Sequence, residues 1–292
     1  MKHTLLLTSG LIALAGAATA ENTYLHGELG YSELSFDGGP TVKLTKGVLG
    51  AGGRVNAFTY DVALAVRGYD SVGFTDEITN FSAMLGYDIT PNFTVVAGAE
   101  RIDVISDTID QYSIGAEYHL NDYTFGLVYN DFDDEEMLVG FATYDASNYD
   151  AYISYINVNG SNDIIMAGVE YQAGAYELTA DALTILDGGD TSIAALTGAY
   201  YFGNNFRATG ELDFGDIYGS SYSRVQIGGG YQIMENTWLD VNAARWDLDG
   251  DKISSFELKV SYEFGDREID SAVGNFSYTD LYNTFPIFEI SI

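Results

Sequence analysis

The stretch Gln111-Tyr-Ser-Ile-Gly-Ala-Glu-Tyr-His-Leu-Asn-Asp-Tyr123 alternates residue by residue. In an extended chain Tyr112, Ile114, Ala116, Tyr118 and Leu120 fall on one face. Gln111, Ser113, Gly115, Glu117 and His119 fall on the other. Asn121-Asp122 then offers a tight turn, and Tyr123 opens the next run. The same block returns as Tyr87 to Phe93, Tyr144 to Tyr149, Tyr171 to Tyr176, Tyr200 to Phe206 and Tyr231 to Trp238, with Tyr262 in phase. A soluble sheet gains nothing from an aromatic on both shoulders of every second turn. A transmembrane barrel does, because amphipathic rings are most stable where hydrocarbon meets headgroup.

Working outward from that block, alternation continues in 207–214 and 254–264, where Phe256, Leu258, Val260, Tyr262 and Phe264 oppose Ser255, Glu257, Lys259, Ser261 and Glu263. Turn residues divide the chain into sixteen candidate strands, from 23–36 to 253–264, each expected to be apolar outside and polar inside. The connections sort into two sets. One is tight and nearly uncharged, such as Pro91-Asn92, Asn121-Asp122 and Ser147-Asn148. The other is longer and acidic: 70–77, 131–136, 187–190, 215–221 and 247–252. The expected fold is an all-β transmembrane antiparallel barrel with short periplasmic turns and acidic extracellular loops. The tyrosines then mark the periplasmic girdle.

The termini set the compartment. Lys2 and His3, the apolar run Leu5 to Ala15 and the Ala18-Thr19-Ala20 site read as a secretory signal over residues 1–20. Residues 21–264 are then the barrel and 265–292 a C-terminal extension. That extension is either a final hairpin, which gives eighteen strands, or a tail. No cysteine is present, so disulfides and thiolate metal sites are excluded. Asp and Glu number 43 against 12 Lys and Arg, a net charge of -31, which argues against nucleic acid as a partner.

With these features the chain resembles a Gram-negative outer-membrane porin of the sixteen-stranded type, closest in style to alphaproteobacterial ones. The resemblance rests on the signal, the strand count, the acidic loops and Leu258-Lys-Val-Ser-Tyr-Glu-Phe264, which is similar to the closing strand of such barrels. It implies an integral protein of the cell outer membrane, with lipid and lipopolysaccharide around it. It also implies insertion by the barrel-assembly machinery and a homotrimer. The chain departs from the family in having no loop long enough to fold inward as a constriction, and in continuing past Phe264.

No residue set suggests catalysis: His26 and His119 lie on separate strands, and no nucleophile and base share a level. An enzyme is not expected, and no cofactor is implied beyond divalent cations held loosely at the acidic loops. Asp247, Asp249 and Asp251 open like a calcium loop, but Leu258 stands where the bidentate Glu belongs, so an acidic turn is favoured. The charge map is more informative. Between Arg101 and Arg207 the sequence contains no Lys or Arg. Lys43, Arg67, Arg207, Arg224 and Lys259 are expected to line one wall of the lumen, facing Glu117, Asp150, Glu170, Glu177 and Asp181. The expected function is a passive diffusion channel for ions and small hydrophilic solutes, preferring cations and carrying a transverse field. The alternatives are a structural or adhesive barrel plugged by its C-terminal tail, or a substrate-specific channel. Arg101 and Arg245 are expected to point outward near the outer rim.

Overall fold

The computed structural model describes residues 23–71, 74–104, 107–132, 135–159, 163–186, 191–203 and 205–265. The expected signal (1–20) and C-terminal extension lie outside the described residues, apart from Gly265. Sixteen strands follow in order: β1 (Thr23–Phe36), β2 (Thr41–Val55), β3 (Phe58–Ser71), β4 (Phe74–Thr90), β5 (Phe93–Val104), β6 (Asp107–Leu120), β7 (Tyr123–Phe132) and β8 (Glu135–Ala146). They continue as β9 (Tyr149–Val158), β10 (Ile164–Ala173), β11 (Tyr176–Ile185), β12 (Thr191–Phe202), β13 (Phe206–Ile217), β14 (Ser220–Met234), β15 (Thr237–Leu248) and β16 (Asp251–Phe264). Each pairs antiparallel with its neighbour, and β1 pairs with β16, so the sheet closes on itself with sixteen strands. Closure leaves no unpaired edge, which is the condition for a sheet to sit in lipid.

Alternation sets the faces. Tyr112, Ile114, Leu127, Leu178, Leu212, Ile227 and Phe256 point outward and are 45 % exposed or more. Glu117, Asn130, Ser154, Asp213 and Asp240 point inward and are buried. The girdle has a definite register. Tyr87 stands opposite Phe58, Tyr118 opposite Phe93 and Tyr144 opposite Tyr123. Tyr171 stands opposite Tyr149, Tyr200 opposite Tyr176 and Tyr231 opposite Phe206. Ring centroids in the Phe58–Tyr87, Tyr123–Tyr144, Tyr176–Tyr200 and Phe206–Tyr231 pairs lie 4.7 to 4.9 Å apart. In these four pairs the girdle tyrosine packs on the ring that opens the preceding strand, and Tyr144 also meets Tyr149, beyond its own turn, at 5.5 Å.

Four of the five acidic connections are shorter than the sequence suggests. The strands run into them and leave two to five residues between consecutive elements at that end, as between β3 and β4 or β15 and β16. The reason is turn chemistry. Asp249 and Gly250 have φ of 52° and 94°, the conformation of a two-residue hairpin turn whose twist matches its strands. Asp247 belongs to the same turn, its Oδ1 accepting a 2.9 Å hydrogen bond from the Gly250 amide. Among the described residues no three His, Asp or Glu side chains converge as a metal-ligand set.

Candidate functional site: the lumen

Near the tight-turn end the lumen contains a chamber of about 670 Å³. Asp88 of β4, Glu117 of β6, Asp145 of β8, Asp150 of β9, Glu170 of β10 and Asp181 of β11 all line it. Register explains the crowding: Asp145 is directly opposite Asp150, and Asp150 is directly opposite Glu170. Facing like charges on adjacent strands repel, so the register concentrates negative potential in the chamber. The only Lys or Arg in the described lining is Arg54, which pairs with Asp88. His119 bridges Thr94 and Thr124 through its two ring nitrogens, at 3.2 and 3.0 Å, and lies 3.8 Å from Glu117.

Glu117, Asp150, Glu170, Glu177 and Asp181 all lie on the inward face of their strands. Asp181 Oδ1 accepts a 2.8 Å hydrogen bond from the Tyr152 hydroxyl, and Glu177 accepts one of 2.7 Å from Tyr201. The Tyr152–Asp181 bond passes over Gly168 of β10, where a Cβ would collide with both partners.

The basic wall differs from the sequence reading at one position. Lys43 is opposite Glu33 on β1 and Asp70 on β3, on the outward face it shares with Leu29 through unbroken register. The inward lysine of β2 is Lys46, whose Nζ lies 3.0 Å from Glu28. Strand β2 carries glycine at 47, 50, 52 and 53, so too few side chains mark its faces for parity to be read. Arg67 is inward beside Lys46, and Lys259 lies 4.0 Å from the same Glu28. Arg207 and Arg224 are inward as well. Arg224 reaches Glu211 at 2.5 Å, Asp213 at 3.0 Å and Gln226 at 2.6 Å, with its guanidinium 5.1 Å from the Trp246 ring. The wall thus has cations, but each of Lys46, Arg54, Arg207, Arg224 and Lys259 has a carboxylate beside it. Arg101 points outward and lies 3.6 Å from both Asp103 and Asp110, while Arg245 shares the outward face of Val225.

The other end of the lumen was not foreseen. There Val128, Met137, Val139, Phe141, Ile156, Met166, Leu183, Ile193, Tyr222, Trp246, Ile253 and Leu34 form one apolar inward cluster, none more than 7 % exposed, while Asn80, Glu100, Gln111, Asn130, Asp213 and Arg224 are buried polar residues of the same half. The polar-inside rule therefore holds for the tight-turn half and is interrupted by this apolar cluster in the outer half. The sequence did contain a signal. Met137-Leu-Val-Gly-Phe141, Tyr155-Ile-Asn-Val158 and Ile164-Ile-Met-Ala167 are largely apolar on both faces, as in strands buried on both sides.

No family model matches the chain, and no curated protein does. Solved structures do. A triple mutant of Rhodopseudomonas blastica porin superimposes over 83 % of this chain and 100 % of its own, with a TM-score of 0.54 and 14 % identity. The barrel has the porin fold. OpdQ and OpdO of Pseudomonas aeruginosa each match 83 % of this porin-fold chain, and 98 % and 96 % of their own lengths. Both have a TM-score of 0.58 and 11 % identity.

Proposed function

We propose that this chain is a passive channel of the cell outer membrane that admits ions and small hydrophilic solutes and favours cations. One observation carries the reading: Asp88, Glu117, Asp145, Asp150, Glu170 and Asp181 line a single chamber with Arg54 as its one described Lys or Arg. A ring of carboxylates raises the local concentration of cations and repels anions from the same space. The wall of Arg67, Arg207, Arg224 and Lys259 adds a transverse component. Neighbouring carboxylates damp it, so cation preference is the stronger expectation and field orientation the weaker. The porin fold supports a role in passage across the membrane and not in catalysis. Export by the signal at 1–20, insertion by the assembly machinery, assembly into a homotrimer and contact with lipopolysaccharide belong to the same proposal, with Arg101 and Arg245 as outward cations toward the outer rim. Bilayer recordings in a salt gradient test it: a reversal potential of the sign set by cation flow supports the reading, and one set by anion flow refutes it.

The apolar cluster on part of the lumen wall favours a second reading, a barrel whose function is structural or adhesive. It predicts no conductance from the wild-type chain.

A further inference from the structure

The outward wall carries a groove of about 570 Å³ that crosses β10 to β14. Two cross-strand rows form its sides. Val225, Leu212, Leu196 and Ala180 stand directly opposite one another in the upper row, and Ile227, Gly210, Gly198 and Leu178 in the lower. Gly210 and Gly198 face each other without side chains, and that pair hollows the wall between the leucines. The lower row ends at Tyr171 in the tight-turn girdle, because tilted strands make the rows slope across the barrel. The upper row begins at Arg245 of β15, directly opposite Val225. Arg54, Arg101, Arg207 and Arg224 each have a carboxylate beside them. Arg245 is exposed on the face of the leucines and has no ion-pair partner among the described residues. The next residues toward the outer rim, Asp247 and Lys252, stand opposite each other. An unpaired guanidinium on a wall that faces lipid is costly unless an anion meets it.

We infer that the groove and Arg245 together hold one phosphorylated lipid of the outer leaflet, its phosphate on the guanidinium and one acyl chain along the groove. Arginine suits this headgroup because its planar fork donates to two phosphate oxygens at once. From Arg245 to Val169 of β10 there are five strand spacings, about 24 Å, so an acyl chain has room to lie along the row. A lipid brings the anion and the apolar chain in one molecule. A second copy of this chain would have to bring a carboxylate to the same point. The inference rests on the outer-membrane reading and gives its lipid contact a place and named groups.

The full chain in detergent micelles tests it with two probes: lipid A carrying its phosphates, and the same lipid with the phosphates removed. Native mass spectrometry reads the lipid bound to the barrel. The wild type should prefer the phosphorylated form about tenfold. Arg245→Gln should bind both forms alike, and Arg245→Lys, which keeps the charge, should keep part of the preference. Gly210→Leu, which fills the groove, should weaken both forms about tenfold. Arg101→Gln, whose native side chain lies beside Asp103 and Asp110, should behave as the wild type does. No preference in the wild type, a preference that survives Arg245→Gln, or an equal loss in Arg101→Gln overturns the site. A wild type that carries a second chain in place of lipid, and sheds it in Gly210→Leu, makes the groove a subunit contact and overturns the inference as well. The comparison of wild type with Arg245→Gln decides the question even where Gly210→Leu fails to fold. Cell fractionation keeps the two readings apart: a chain recovered outside the outer membrane refutes the placement, and an outer-membrane chain without the lipid preference refutes the site alone.

Discussion

Arg207 of β13 and Asp240 of β15 meet over the intervening strand, Nε to Oδ1 at 2.8 Å and Nη2 to Oδ2 at 2.7 Å. They can do so because Gly230 of β14 lies beneath them, and a Cβ there would strike Asp240 and the Arg207 side chain. The Trp238 ring supports the guanidinium from 4.5 Å. Asp240 is 2 % exposed, so removing its charge leaves a desolvated guanidinium without its two-point partner. Asp240→Asn should cost about 2–3 kcal/mol, less than for a fully enclosed pair because Arg207 keeps some access to the lumen. Gly230→Ala should destabilise the barrel through the same contact. The temperature at which the barrel loses its heat-modifiable mobility in detergent measures both, and no shift in either variant would contradict the assignment.

The girdle gives a second expectation. Tyr200 stacks on Tyr176 at 4.8 Å and meets Phe202 edge-on at 4.7 Å. Tyr200→Ala removes both contacts at the interfacial level and should cost about 1–2 kcal/mol in refolding from urea into lipid vesicles. Tyr200→Phe should recover most of that loss. Equal losses in the two variants would show that the hydroxyl, not the ring pair, carries the effect.

Asp163, in the connection between β9 and β10, accepts hydrogen bonds from the Tyr155 hydroxyl at 2.5 Å and the Asn157 amide at 2.6 Å. The Tyr155 bond first, then the Asn157 bond, hold its carboxyl below the usual carboxylate range. Folding therefore favours the ionised form. The local stabilisation is full above the unfolded value, about 3.9 for aspartate, and is lost as pH falls through the lowered folded value. Amide exchange at Leu186, whose N–H donates to the Asp163 carbonyl at 2.7 Å, should be flat from neutral pH to about pH 5 once corrected for intrinsic rates, and should rise in more acid solution. Asp163→Asn should abolish that acid dependence, and a rise already complete at pH 5 would contradict the sign.

How much of this was legible in the sequence depended on how many side chains marked each face. In β6, Tyr112, Ile114, Tyr118 and Leu120 oppose Gln111, Ser113, Glu117 and His119, so strand, parity and the inward place of Glu117 could all be read. In β2 glycines remove the marks, and Lys43 was put on the wrong face while Lys46 and Arg54 were passed over. The Asp249-Gly250 hairpin was read as an extended acidic loop because its charges outweighed its turn signal. The apolar cluster in the outer half of the lumen is not legible from a rule that makes a membrane barrel polar inside along its whole height. Bridges such as Tyr152–Asp181 join strands two apart in the sheet, and only the closed register brings those residues together.

Charge removal in the chamber should change selectivity without harming the fold. Glu170→Gln and Asp150→Asn each relieve a facing pair of like charges, so both variants should insert normally while cation preference falls. Arg54→Gln should act in the opposite sense by releasing Asp88 into the chamber. Reversal potentials of the three variants, recorded under one salt gradient, check the ordering.

The central claim is most directly tested by the reversal potential of single channels of the wild-type chain in a potassium chloride gradient. The acidic chamber predicts a potential close to that of potassium, falling toward zero in Glu170→Gln and Asp150→Asn. A potential on the chloride side of zero would contradict it.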